Sequence, residues 1–453
     1  MRHPLALVAI VTVGCLCLAC GDAPELVDTT PPALEETSPA AGDASVPVSA
    51  EIQFRFDEPI EDGYQVSFVL DGTALAVDSH LEESGRVLVI EPPTVGAVPA
   101  TAVVTLTGVR DRFGNPMDPQ PALEWTYADW IPLGAQQTTA GTYLLAAGGD
   151  GPALAWLDAA SNVLVRRWTG GGWGAPASPG AGTDLSLAMD PADGLAVAFY
   201  VGGRPYVWRL SGGAWTEVGS ALPSQNAPRL GTALGYENGT LHVAFGGQLH
   251  QPCTNSPSCP APNPAWMRLY RLAGASWELR STVTLPDPWY SPPSASPVRG
   301  VTGDGAGVLV GWDSTVRRLA DTAANGSSFT SFGSPGVLSA VDVFEGNPIV
   351  VAGGVVRAYQ NGSWSNLGLT ADVVSLDVAE GHLPVIATRT GAGTSVTVRF
   401  LRWNGADQWT QLGRTLTGTD AELRAPAVAV GPTGQVYRAI NGAVARLNEA
   451  EAP

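Results

Sequence analysis

Trp130-Ile-Pro-Leu-Gly134 is the stretch on which the reading of the fold turns. Its aromatic-x-x-apolar-Gly spelling returns four times further along, as Trp215-Thr-Glu-Val-Gly219, Phe329-Thr-Ser-Phe-Gly333, Trp364-Ser-Asn-Leu-Gly368 and Trp409-Thr-Gln-Leu-Gly413. Trp173 and Trp277 occupy matching places without the full spelling. From 173 to 409 the successive openers are 42, 62, 52, 35 and 45 residues apart, the length of a four-stranded β unit. Each unit also carries a hairpin-type dipeptide: Asp150-Gly151, Asp193-Gly194, Asn238-Gly239, Asp304-Gly305, Glu345-Gly346, Glu380-Gly381 or Thr433-Gly434. Such pairs suit turns whose central residues need positive φ, and the apolar alternation around them marks short, half-buried strands.

The last unit, Pro426 to Leu447, shows three strands and no opener after them. The missing piece occurs once, at the other end, as the Trp130 stretch. An N-terminal strand that completes the last unit closes a ring and removes an exposed edge. On these residues the segment 129–453 resembles a seven-bladed β-propeller, although WD and convincing kelch signatures are absent. An array of β-sandwiches is the alternative, but it leaves the displaced strand unexplained. A second periodicity sits on the third strand of the units, at Arg167, Arg209, Arg271, Arg318, Arg402 and Arg446, with Arg357 one place early in the fifth. We read these arginines as structural, stems laid on a neighbouring blade with heads bonded or stacked at its outer part.

Upstream of the ring, residues 31–128 have another character. Ile52-Gln-Phe-Arg-Phe56 alternates with period two, and Val87 to Ile90, Val103 to Leu106 and Leu123 to Tyr127 are strand-like. Ser38-Pro-Ala-Ala-Gly42, Phe56-Asp-Glu-Pro59 and Asp111-Arg-Phe-Gly-Asn-Pro116 resemble the motifs of the bacterial Ig-like domain found in surface-layer and other exported proteins. That resemblance implies a β-sandwich spacer without catalytic residues. The whole is expected to be all-β, an Ig-like sandwich followed by a seven-bladed propeller closed by an N-terminal strand.

The N-terminus supplies an address. Met1-Arg-His-Pro4 is a short positive start, and Leu5 to Leu18 is an apolar run of 14 residues, too short to span a bilayer. The sequence Leu18-Ala-Cys-Gly21 resembles the lipobox of bacterial lipoproteins, which implies cleavage after residue 19 and lipidation of Cys20. Cys17 stands where that family usually has leucine, and a plain secretory signal is the alternative. Gly21 in place of aspartate favours the outer membrane under the family's sorting rule. Residues 20–30 then read as a tether.

Composition agrees with export. The 453 residues carry 24 basic and 42 acidic side chains, a net charge of −18, and every basic one is arginine; only 15% are charged. No basic patch serves nucleic acid, and 14 tryptophans exclude a disordered chain. Gly 54 and Pro 37 argue for many short strands against long helices. Beyond Cys20 only Cys253 and Cys259 remain, which in an oxidising compartment read as a disulfide. A zinc site using His250 and His242 is the weaker reading, because the spacing matches no common site.

The third unit departs most from the repeat. Its loop from about Gln248 to Pro264 holds the cysteine pair, and the next connector is Leu285-Pro-Asp-Pro-Trp-Tyr-Ser-Pro-Pro293. Enlarged loops on a rigid scaffold are where binding resides. Trp266, Asp287, Trp289 and Tyr290 are the candidate ligand contacts, suited to stacking on a sugar or gripping a protein; the competing reading has the rings capping the core. Near the channel, Asp184, Arg229, Arg299, Asp372 and Arg424 offer a mixed-charge mouth. No catalytic constellation, metal motif or cofactor signature appears. The expected function is a lipid-anchored binding or adhesion module of the cell envelope with a glycan or protein partner. A structural envelope component and a carbohydrate-active enzyme remain as alternatives.

Overall fold

The structure, a computed structural model, describes residues 28–448 apart from 94, 96–97, 191, 193, 224–228, 249–264, 285–297, 369–371 and 407. The chain divides into two compact units, one built around Ala50–Pro93 and Thr101–Trp125, the other around Thr126–Pro453. Every regular element described is a strand except a short 3-10 turn at Glu83–Gly85.

In the first unit two four-stranded sheets form. One runs Leu34–Ser38, Ile52–Phe56, Val87–Ile90, Ser79–Glu82; the other runs Thr73–Leu75, Gln65–Leu70, Ala100–Thr107, Ala122–Tyr127. The alternation read in the sequence holds: Ile52, Phe54 and Phe56 are buried, while Gln53 and Arg55 between them are partly exposed. Trp125 meets Phe68 edge-on with ring centroids 6.1 Å apart. The Asp111 motif is a turn scaffold. Its Oδ1 accepts the main-chain N–H groups of Phe113 and Asn115 at 2.9 and 2.7 Å, and its Oδ2 accepts the Asn115 side-chain amide at 2.7 Å.

The second unit is a propeller of antiparallel four-stranded sheets, each a meander in chain order. The seven inner strands described are Tyr143–Gly148, Thr183–Met189, Arg229–Glu237, Val298–Gly303, Leu338–Phe344, Val373–Asp377 and Ala427–Val430, and the sheets are numbered here in that order. The described X-Gly pairs lie at or beside the turns from inner to second strands, Gly151 already being paired with Gly148; Asn238 and Gly239 have φ of 48° and 72°, Glu345 and Gly346 51° and 71°, the double left-handed turn that tight hairpins require. A separate apolar cluster fills every gap between successive sheets. The one between the seventh and the first packs Tyr437 and Val444 against Tyr143, Leu154 and Trp156, so the ring closes on itself. At about 1.5–3 kcal/mol per buried aliphatic or aromatic side chain, stability is spread over all the seams.

Closure uses the strand that the sequence displaced. Ala427–Val430, Val436–Ile440 and Ala443–Leu447 make three strands of the seventh sheet, and Trp130–Pro132 is the fourth, paired Leu447 to Trp130, Arg446 to Ile131 and Ala445 to Pro132. Trp130 is 3% exposed, with the Phe400 ring 5.4 Å away and the Arg438 guanidinium 4.5 Å above it.

The aromatic-x-x-apolar-Gly spelling has a physical cause that joins one sheet to the next. Four openers donate the indole N–H to the carbonyl of the apolar residue in the preceding unit: Trp173 to Leu133 at 2.5 Å, Trp277 to Val218 at 2.9 Å, Trp364 to Phe332 at 2.8 Å and Trp409 to Leu367 at 2.6 Å. The glycine after that carbonyl has positive φ in each case, and at Gly219 and Gly413 an indole also lies on it. At Gly219, with φ 77°, a Cβ would stand 2.3 Å from Trp277 Nε1. Three openers do not make this bond: Phe329 has no indole, and the buried Nε1 atoms of Trp130 and Trp215 have no partner among the described residues. The unit before Trp215 reads Trp173-Gly-Ala-Pro176 and lacks the apolar-Gly step. Two openers differ from the expectation of a strand start. Trp173 pairs with Trp168 in an isolated bridge after the Gly170-Gly-Gly172 run lengthens the turn, and Phe329 precedes a strand of only two residues, Thr330–Ser331.

The arginine periodicity is structural where its contacts are described. Arg167 reaches back to Asp150 at 3.3 Å, an acid of the X-Gly hairpin in its own sheet. Arg318 pairs with Asp304, bonds the Gly346 carbonyl of the next sheet at 2.9 Å and lies 5.1 Å over Phe332. Arg271 pairs with Glu278 of the outer strand at 2.7 Å.

Candidate functional site

The seven inner strands enclose a central channel of about 1280 Å³. Antiparallel order fixes its two ends. At one, the X-Gly hairpins turn. At the other, second strands pass to third strands and each outer strand passes to the next inner strand. Connections 249–264 and 285–297, which follow Thr240–Gln248 and Ser276–Thr284 of the third sheet, both leave from this second end.

Trp266 requires a correction. It opens the strand Ala265–Ala273 at that end, but its ring is 9% exposed, edge-on to Phe245 at 6.2 Å, with Arg268 4.7 Å over its face. A Cβ on Gly247 would fall 2.4 Å from it, so the ring fills space that this glycine leaves. Period-two alternation puts position 266 on the same side as buried Tyr270, in the seam with the second sheet. It belongs to the packed core and presents no ligand surface. Asp287, Trp289 and Tyr290, like Cys20, Cys253 and Cys259, lie outside the described residues.

His242, weighed as a zinc ligand, is 2% exposed on Thr240–Gln248, and neither ring nitrogen has a partner among the described residues. Burial, followed by the nearby Arg271 and Arg280 charges, pushes its pKa down to about 4. Two guanidiniums beside a neutral imidazole disfavour a metal dication there.

Of the channel-mouth residues named from sequence, Asp184 and Arg299 line the channel. Asp372 is exposed at the second end with φ 26°, and the Arg424 carbonyl meets the Tyr143 hydroxyl at 3.4 Å. The hairpin end is acidic, with Asp190, Glu237, Asp304, Glu345 and Glu380 contributed by five consecutive sheets. Three of these are engaged in the fold. Asp190 Oδ1 accepts the Ala192 N–H at 2.8 Å, Asp304 is held by Arg318, and Glu237 is 4% exposed with its Oε1 3.1 Å from the Asn238 amide. Gly303 makes room for Glu237, since a Cβ would stand 1.5 Å from Oε2. Burial, then Asp321 and Asp304, pushes the Glu237 carboxyl up to about 7.

Two further carboxylates on the channel wall were missed from sequence. Asp342 Oδ2 accepts the Val378 N–H at 2.8 Å, and Oδ1 accepts the Val343 N–H at 2.9 Å and the Thr302 hydroxyl at 3.4 Å. Asp377 Oδ2 accepts the Val430 N–H at 2.6 Å. Each thus crosses to the inner strand of the next sheet. Burial raises both carboxyls, Asp377 to about 7, and the Asp377 charge raises Asp342 further. The signal existed as a repeated spelling, Asp342-Val-Phe-Glu-Gly346 and Asp377-Val-Ala-Glu-Gly381. In the first unit Asp28, Glu58 and Asp111 bring carboxylate oxygens within 4.8 Å of one another, but both Asp111 oxygens already serve its turn.

Residues 28–128 match the bacterial Ig-like domain family. The propeller is similar to the β-propeller domain of Myceliophteria thermophila Cps50 (Swd1), with 13% identity over 70% of this chain and 99% of that one, TM-score 0.45. It is also similar to BamB from Moraxella catarrhalis, with 11% identity over 70% and 99% of the two chains and TM-score 0.38. No curated protein matches the sequence. Among the described residues no helix is long and apolar enough to cross a membrane.

Proposed function

We propose that the chain is a cell-envelope lipoprotein, held by lipid on Cys20, whose Ig-like domain is a spacer and whose propeller binds a glycan or protein partner without catalysing a reaction. The observation that carries this reading is the third sheet. Its four strands are regular, yet at the channel end where the fourth, fifth and seventh sheets turn from second to third strand within two residues, it sends out the long connections 249–264 and 285–297. Long connections mounted on a rigid ring suit recognition. The Ig-like match supports the address, since domains of this family occur in extracellular bacterial proteins. With Trp266 assigned to the core, the contact residues proposed are Asp287, Trp289 and Tyr290. The channel carboxylates favour binding over catalysis as well, because Asp342 and Asp377 are committed to main-chain N–H groups.

The address is tested by Cys20→Ala. The wild type is expected in the membrane fraction and the variant in the soluble fraction, and equal membrane partition of both would exclude a lipid anchor at this residue. The ligand face is tested by capture of envelope glycans and proteins on the immobilised chain. Trp289→Ala is expected to weaken capture by roughly thirtyfold, the ~2 kcal/mol of a central aromatic contact. Equal capture by wild type and variant would move the ligand away from this connector.

A further inference from the structure

The fifth sheet keeps the acid of its hairpin but lacks the arginine that answers such an acid elsewhere in the ring. In the first sheet Arg167 reaches Asp150 at 3.3 Å, and in the fourth Arg318 pairs with Asp304 while its guanidinium lies 5.1 Å over the Phe332 ring. Ladder register locates the matching place in the fifth sheet. Arg318 faces Leu309, which faces Thr302, two residues before the hairpin-closing Asp304. Ala358 faces Ile349, which faces Asp342, two residues before the hairpin-closing Phe344. Arg357, one place earlier, does not substitute, because alternation turns it to the other side of the strand, where it bonds the Pro335 carbonyl.

Glu345, the acid of that fifth hairpin, is exposed and its carboxylate has no partner among the described residues. Where the arginine would lie there is a hollow of about 230 Å³, between the turn at 345–347 and the turn at 360–361, reaching Ala358 and lined by Phe344 and Tyr359. Acceptors surround it. The Asn347 amide nitrogen is spent on the Glu345 carbonyl at 3.1 Å, which leaves its Oδ1 for a ligand, and Gln360 and Asn361 bring two more amide oxygens.

We propose that this hollow is a docking site for an arginine side chain of a protein partner, whose guanidinium takes the place that Arg167 and Arg318 fill in their own sheets. A guanidinium is planar, pairs a carboxylate through two parallel N–H groups and stacks on aromatic rings, whereas a lysine ammonium is a point charge that cannot make the paired contact. The hollow offers one carboxylate, three amide side chains and two aromatic ones, which is the complement of the planar group. Long-range attraction acts in the same direction. The chain carries a net charge of −18, and Glu380 on the next hairpin is a second exposed carboxylate without a partner among the described residues, so this end of the ring draws a basic partner. Connections 249–264 and 285–297 leave from the opposite end, and the site is independent of the ligand proposed above.

The test is saturation-transfer NMR on the full chain at low ionic strength, with N-acetylarginine amide as the probe and N-acetyllysine amide as its control. The arginine probe is expected to take up saturation, less so as salt is raised, and the lysine probe much less throughout. No uptake would overturn the site, and equal uptake of the two would overturn its assignment to a guanidinium. Glu345→Gln is expected to weaken the arginine probe about fivefold, the upper range for an exposed ion pair. Ala358→Arg restores the arginine of the other sheets, so it should close the hollow to the probe while the ring stays folded. Unchanged probe affinity in both variants would overturn the proposal. If Ala358→Arg does not fold, Glu345→Gln, at an exposed turn, decides alone. Self-association of the chain in sedimentation, abolished by Glu345→Gln, would assign the hollow to an arginine of a second copy and overturn a separate partner.

Discussion

Trp130→Ala is expected to cost the propeller about 3–5 kcal/mol, the range for truncating a buried tryptophan, and to do so where the ring-closing strand packs in the seam between the sixth and seventh sheets. The indole is 3% exposed and stands between Phe400 of the sixth sheet and Arg438 of the seventh. Its loss removes packing from the cluster that also holds Val398, Leu412 and Val436, and leaves the Arg438 guanidinium, already lowered to about 10 by burial, without the face it lies on. Denaturant unfolding followed by tryptophan fluorescence measures this. Trp130→Phe is the comparison, because it keeps an aromatic face and should lose much less. A cost below ~1 kcal/mol for the alanine variant would show that Trp130–Pro132 is a dispensable edge.

Gly235→Ala comes next in expected size and acts by the opposite route, adding atoms where none fit. The inner strands of the third and fourth sheets approach so closely that a Cβ at position 235 would lie 2.0 Å from the Val301 carbonyl oxygen and 2.5 Å from its carbon. The obstacle is backbone in a neighbouring strand, so relief requires the two sheets to separate. Overpacking of this kind costs about 1–3 kcal/mol and at times more. Gly346→Ala is the useful contrast: no atom lies within 4 Å and only its φ of 71° opposes the change, so about 1 kcal/mol is expected. Thermal unfolding of both variants ranks the two effects, and a milder outcome at 235 than at 346 would contradict the close approach of the inner strands.

The ring was legible because its devices are spelled in local residues. An X-Gly pair marks a hairpin nearby, and the aromatic with the apolar-Gly step marks a junction between successive units, as where Trp277 bonds the Val218 carbonyl and rests on Gly219. The displaced Trp130 stretch betrayed closure because that spelling had no other use. Residues whose meaning depends on which sheet faces which were harder to read. Trp266 has the composition of a contact residue, and only the gap left by Gly247 and the edge of Phe245 assign it inward. Asp342 and Asp377 sit in alternating apolar strands at positions that look like ordinary channel-facing polar sites. Their work lies in bonds to Val378 and Val430, contacts between sheets that strand periodicity does not encode. Asp184 and Arg299 were found because strand starts are visible in sequence. The carboxyl pair deeper in the wall was visible only as a short repeated spelling.

Closure by Trp130–Pro132 also orders events in time. In the exported chain proposed above, that strand emerges across the membrane before any sheet of the ring, while its partner Ala443–Leu447 follows all the other described strands. Emergence runs from the N-terminus, so six sheets can form while the seventh waits, with two unsatisfied strand edges and the apolar faces of the first and sixth sheets uncovered. A chain halted or clipped before Ala443 would stay in that open state, a target for proteases, whereas arrival of the last strand conceals both edges at once. The ring thus reports its own completion, and resistance to proteolysis should appear abruptly with the final segment.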